Sequence, residues 1–181
     1  MAIRPILRMG HPMLRQRARD VDAAQLQAPA FRTLLTDLQD TLAHSGGIGL
    51  AAPQIGVDLR VAIIDLPGGP SRYGELPTIP ATFFVNPQLR ILDPASAGYW
   101  EGCLSVPGLR GYVERPQALE VTATNENGDA LVQQFTGFAA TVVQHEFDHL
   151  DGTLYVDLIK DMRLLMFESE FEAHVLDSLE G

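Results

Sequence analysis

Five apolar residues, Phe31, Leu34, Leu35, Leu38 and Leu42, recur at spacings of three and four. That spacing stacks them on one face of a helix, which the cluster Ser45-Gly46-Gly47 should terminate. Apolar or alternating runs at residues 60–66, 82–85, 88–92, 118–124 and 131–135 each predict a strand. Between the last two lies Asn125-Glu126-Asn127-Gly128-Asp129, whose Asn-Gly pair signals a hairpin turn. Pro67-Gly68-Gly69-Pro70, and the segment through Pro77 and Pro80, read as a surface loop. Helical spacing returns at 139–150, and again at about 158–179 with Met162, Leu165, Met166 and Phe171 available to pack. The order predicts an α+β fold, with mixed or antiparallel strands packed around the central helix and further helices near both ends. No repeat or linker divides the chain, so residues 1–181 are expected to form one catalytic domain.

Composition narrows the setting. With 46% apolar residues in 181, a core can form without covalent staples, and the one cysteine, Cys103, permits no internal disulfide. A lone cysteine suits a reducing compartment and calls for a chemical explanation. Thirteen basic against twenty-three acidic residues leave a net charge of −10. Such a surface repels phosphate backbones and argues against an extended nucleic-acid interface. Neither a secretory signal nor a membrane span can be drawn, so the expected location is the cytoplasm.

The strongest chemical signal is His145-Glu146-Phe147-Asp148-His149 on the 139–150 helix. Positions i and i+4 share a helix face, so the two imidazoles project about 6 Å apart, a separation that one metal ion can bridge. Glu146, next along the helix, can reach a water on that ion and take its proton. Val142, Val143, Phe147 and Leu150 would bury this helix, where an unpaired His or Glu is costly. For a third ligand the residues leave two candidates. One is Cys103, in Glu101-Gly102-Cys103-Leu104-Ser105, which also reads as a small buried hydrophobe. The other is Glu168 or Glu170, about twenty residues past His149, as in a thermolysin-like zinc endopeptidase; both also read as the solvated face of the last helix. His11, His44 and His174 are isolated and read as surface or structural residues.

Three separated segments change that balance. Gly47-Ile48-Gly49-Leu50-Ala51-Ala52-Pro53-Gln54, Glu101-Gly102-Cys103-Leu104-Ser105 and Gln144-His145-Glu146-Phe147-Asp148-His149-Leu150-Asp151-Gly152 resemble, in order and spacing, the three signature motifs of peptide deformylases. Gly10-His11-Pro12-Met13-Leu14 is similar to the family's N-terminal region. The first segment also matches a dinucleotide fingerprint, but it follows a helix and not a strand, so that match fails on context. The resemblance implies removal of the formyl group from the N-terminal N-formylmethionine of new polypeptides, with release of formate. It implies one divalent ion held by Cys103, His145 and His149, natively Fe2+, with Ni2+, Co2+ or Zn2+ able to substitute. It further implies Glu146 as the acid–base group, and the Leu104 N–H and Gln54 amide as oxyanion donors. Gly49 would pair with substrate backbone like an added strand, and Ile48 and Val142 would line the methionine pocket.

The tail departs from the relatives that dock on the ribosome through a basic C-terminal helix. From Asp161 onward there are six acidic residues and one basic, Arg163, a net of −5. An acidic tail is repelled by ribosomal RNA, so any ribosome contact is expected through another surface.

Overall fold

In the computed structural model, which describes residues 2–71 and 73–176, helices precede, cross and follow one antiparallel sheet. The elements run α1 (Ala23–Gln27), α2 (Pro29–Ser45), β1 (Gly49–Ala51), β2 (Val61–Leu66), β3 (Gly69–Ser71), β4 (Gly74–Leu76), β5 (Ile79–Cys103), β6 (Val106–Thr124), β7 (Ala130–Thr136), α3 (Gly137–Leu150), β8 (Leu165–Phe167) and α4 (Glu168–His174). The sheet order is β1-β2-β5-β6-β7, with β8 also on β6; β3 and β4 form a separate small hairpin.

The sheet is a middle layer where β1, β2 and β5 lie. Ala62, Ile64 and Phe84 pack with Ala140, Val143, Phe147 and Leu150 of α3, while Val61, Ile63, Phe83 and Val85 pack with Phe31, Leu34, Leu38 and Leu42 of α2. Successive strand residues point to opposite faces, so a strand covered on both sides must be apolar throughout. That accounts for the unbroken Val61-Ala62-Ile63-Ile64. α2 ends where expected, with Gly46 in the left-handed region at φ 69° as its cap. The β6–β7 turn also matches: Asn125 Oδ1 accepts from the Asn127 and Asp129 amides, 2.9 Å each.

Three readings need correction. Segments 82–85 and 88–92 belong to one strand, β5, whose register breaks between Val85 and Gln88. Asn86 bulges there at φ 50° and bonds both main-chain groups of Val21, at 2.8 Å each. The 67–80 segment contains the β3–β4 hairpin as well as loop. The helix expected over 158–179 is confined, in its described part, to α4: two 3-10 turns (Tyr155–Leu158 and Met162–Leu164) and β8 take up the residues before Glu168. Residues 177–179 of that expected helix lie outside the described residues.

Candidate active site

Three pieces of the fold converge on one cleft of about 610 Å3. α3 brings His145, Glu146 and His149, all buried; the tip of the β5–β6 hairpin brings Cys103, Leu104 and Ser105; β1 and the following 3-10 turn bring Gly49 and Gln54. The hairpin tip is tight because Cys103 pairs with Val106. Val142, Val143 and Phe147 hold α3 in the core, so its histidines face the hairpin from a rigid base.

Cys103, His145 and His149 offer ligand atoms that all lie within 4.8 Å of one another, and the Cys103 sulfur is 3.3 Å from His149 Nε2. One soft thiolate and two imidazoles suit a divalent transition ion, and three protein ligands leave a position open for water or substrate. Glu146 Oε2 is buried with no hydrogen-bond partner among the described residues. An orphaned carboxylate oxygen beside such a donor set fits a ligand that the ion would hold, so the residues are suited to the metal.

A buried chain of charges aims the first histidine. His145 Nδ1 meets Glu101 Oε2 at 2.7 Å; Arg115 grips Glu101 through two hydrogen bonds, 2.6 and 3.1 Å, and Asp148 through a third, 2.7 Å. Fixing Nδ1 leaves Nε2 for the ion, the usual work of a carboxylate behind a metal-binding imidazole. Burial opposes the charge on Glu101, but its bonds to His145 and Arg115 outweigh that and hold its pKa below the usual value. Burial likewise opposes charge on His145, yet the neighbouring Cys103 and Glu101 raise its pKa well above normal. Burial pushes the Glu146 carboxyl up to about 7, and the charges of His145 and Arg115 pull it down only in part.

The oxyanion candidates are positioned by the same turn. Gln54 Oε1 accepts from the Ala51 N–H at 2.8 Å, which turns Nε2 toward Ser105 Oγ at 3.1 Å and the Cys103 sulfur at 3.6 Å. Leu104 lines the cleft and packs on the cluster beneath α2. Gly49 sits where an ideal Cβ would fall 2.6 Å from Glu146 Cγ and closer still to its carboxyl oxygen. The missing side chain is therefore what lets Glu146 lie against β1. Because β1 is an edge strand, it has hydrogen-bonding groups that no neighbouring strand takes. The Ile48 carbonyl accepts from Asp65 in the β2 direction, and alternation turns Gly49's own groups the other way.

Ile48 and Val142 both line the cleft, Val142 also forming part of the core. An aromatic wall that sequence reasoning does not single out stands beside them: Tyr73, from the β3–β4 hairpin, stacks on Phe138 with ring centroids 5.0 Å apart, and its hydroxyl donates to the Trp100 carbonyl at 3.2 Å. Glu101 belongs to a quoted motif without a role there, and Arg115 carries no local signal at all. Its strand neighbours do not announce that it is buried.

The carboxylate alternative for the third ligand falls. Glu168 reaches the cleft but bonds Arg110, and Glu170 is exposed and pairs with His174 at 3.4 Å. The fold and the donor set partly borne on α3 suit one class, a metal-dependent hydrolase. Residues 3–164 match the sequence profile of the family described as polypeptide deformylase. Peptide deformylase of Leptospira biflexa is 41% identical over 172 residues, covering 95% of this chain and 96% of that protein. Peptide deformylase 1 of Nitrosomonas europaea is 47% identical over 161 residues, 89% of this chain and 90% of that one. In structure, the Met-Ala-Ser-bound class I type b peptide deformylase of Acinetobacter baumannii superposes with a TM-score of 0.78 at 33% identity, covering 87% of this chain and 99% of that one. The chain belongs to the polypeptide deformylase family. It is a hydrolase that removes the formyl group from N-formylmethionyl nascent polypeptides.

Proposed function

We propose that Cys103, His145 and His149 hold one divalent ion, Fe2+ in the native enzyme, and that deformylation takes place beside it in the cytoplasm. The observation that carries this is the convergence of one sulfur and two imidazoles beside a cleft that Cys103 and His145 line. When bound, such an ion acts as a Lewis acid on the formyl carbonyl and makes water acidic enough to lose a proton near neutrality. The ligand types also accommodate Ni2+, Co2+ or Zn2+.

Glu146 takes the proton of the attacking water and delivers it to the departing amine. Gln54 Nε2 and the Leu104 N–H donate to the oxygen that gains charge as the formyl carbon becomes tetrahedral. Gly49 pairs with the substrate backbone as an edge strand does with an added one. The methionine side chain enters between Ile48 and Val142, with the Tyr73–Phe138 stack at its side. Formyl carries hydrogen where other acyl groups carry carbon, so a tight turn at Leu104 excludes acetyl and internal peptide carbonyls by size. The acidic segment after Asp161 is a poor ribosome anchor, and any docking uses another face.

The test is formate release from formyl-Met-Ala-Ser by anaerobically purified protein, with bound metal measured alongside. Wild type should turn over, and Cys103→Ser should lose metal and formate release together. Glu168→Ala should keep both; metal retained in Cys103→Ser but lost in Glu168→Ala would overturn the ligand set. Gln54→Ala should keep its metal and lose about 10²–10³ in kcat, the typical cost of one oxyanion donor. An unchanged kcat would remove Gln54 from that role.

A further inference from the structure

The catalytic cleft does not end at the hairpin tip. It adjoins a second hollow of about 350 Å3, and the two share Ser45, Leu104 and Pro107 as a common wall. The charged groups lining this hollow are of one sign, Arg4 and Arg8, with His44 beside them and no carboxylate among the described lining residues. Asp37 reaches Arg4 from α2 at 3.2 Å, while Arg8 is exposed. On a chain with a net charge of −10, a cationic hollow beside the active site runs against the average field.

The segment carrying both arginines is anchored to the catalytic elements themselves. The Leu7 N–H donates to the Gln54 carbonyl at 2.8 Å, the Met9 N–H to the Ser105 carbonyl at 2.7 Å, and the Arg4 N–H to Thr41 Oγ1 at 3.0 Å. The segment that carries the two arginines is thus held fixed beside the site. Direction follows from β1, which leads from Gly49 toward Gln54. A peptide that pairs antiparallel with Gly49, its formyl end beside Gln54 and Cys103, must send its later residues back past Gly47 to Ser45. α2 ends at Ser45 and Gly46 turns left-handed, so this path is no longer than the ~13 Å of four extended residues, and substrate residues from about the fourth onward reach the second hollow.

We infer that this basic hollow is an extension of the substrate groove, and that it favours nascent chains with acidic side chains a few residues after the formylmethionine. The inference rests on the Gly49 pairing proposed above. Contacts between exposed charges are individually weak and Asp37 already offsets Arg4, so Arg8 carries most of the effect and the selectivity amounts to about 2- to 5-fold, lost at high salt.

The experiment compares kcat/KM for three C-terminally amidated substrates: formyl-Met-Ala-Ser, and the same tripeptide extended by three Asp or by three Lys. Wild type should prefer the Asp extension at low ionic strength, and the preference should vanish near 0.5 M salt, about a 4 Å screening length. Arg8→Glu, at an exposed position outside the catalytic machinery, should abolish or reverse the preference and leave the tripeptide unchanged. The overall negative charge alone favours the Lys extension, so equal rates or a Lys preference in wild type would overturn the inference. So would an Asp preference that survives in Arg8→Glu. Failure to turn over the tripeptide would overturn the site assignment proposed above instead, and this inference with it.

Discussion

Glu146→Gln should lower kcat by about 10²–10⁴, the range for loss of a general acid–base group, while metal content and thermal stability hold. The variant keeps the shape of the side chain and removes only its capacity to carry a proton. Stability should not suffer, because Glu146 lies 5% exposed and burying a carboxylate without a partner is costly. Gly49→Ala is the sharper companion. Its Cβ would occupy the space of the Glu146 carboxyl, so the acid–base group must move while every chemical group of the site remains. Metal should stay bound and kcat should fall by a large part of the Glu146→Gln loss. The obstruction is a side chain and not backbone, so the protein should still fold. Steady-state kinetics with bound metal quantified would decide the matter: normal turnover in Gly49→Ala would show that Glu146 does not work from the position it holds here.

How much of this can be read from sequence depends on where each signal is stored. α2 and α3 are legible because their apolar residues recur at helical spacing, and β2 because coverage from both faces leaves Val61-Ala62-Ile63-Ile64 no polar position. The C-terminal half of β5 and its return in β6 are not. Pro94, Gly98, Gly102, Pro107, Gly108, Gly111 and Pro116 break the alternation that marks a strand, yet Tyr99 still pairs with Val113 and Trp100 with Tyr112. The late start of the helix expected from residue 158 has a tertiary cause. β7 pairs with β6 only at residues 118–124, and β8 fills an otherwise open edge at Leu109, Arg110 and Gly111. An open strand edge competes with local helical preference, and here it wins. α4 then starts at Glu168, with Phe171 buried against Trp100.

The site divides in the same way. A donor pair on one helix turn is local and stands out in the sequence. The Arg115–Glu101–His145 chain joins residues 14 and 44 positions apart, and Arg115 alone reads as an ordinary charge on a strand. What makes it part of the site is burial, a property of the assembled fold. Tyr73 is hidden for a related reason, since its hairpin looks like a surface loop until Phe138 is brought beneath it.

Removing Glu101 should therefore damage stability and metal binding together. Both partners of its ion pair with Arg115 are almost fully buried, with side chains 4% and 5% exposed. Deleting one member of a buried pair typically costs about 3–5 kcal/mol; Arg115 keeps Asp148 at 2.7 Å but loses both of its bonds to Glu101. For a chain of this size each kcal/mol lowers Tm by about 2–4 °C, so Glu101→Ala should melt roughly 6–20 °C below wild type. Losing the partner of His145 Nδ1 should also weaken metal affinity by about 10- to 100-fold. A double variant, Glu101→Met with Arg115→Met, separates the two effects. Replacing a buried ion pair by apolar side chains of similar size is often neutral or stabilising, and Asp148, its side chain 28% exposed, can turn to water when Arg115 is gone. The double variant should thus recover most of the lost Tm. It should not recover the metal, because nothing in it orients the imidazole. Calorimetry of the metal-free proteins beside metal titration would read both quantities. Recovery of the two together would mean that Glu101 acts only on folding; recovery of Tm alone would make it the residue that aims His145.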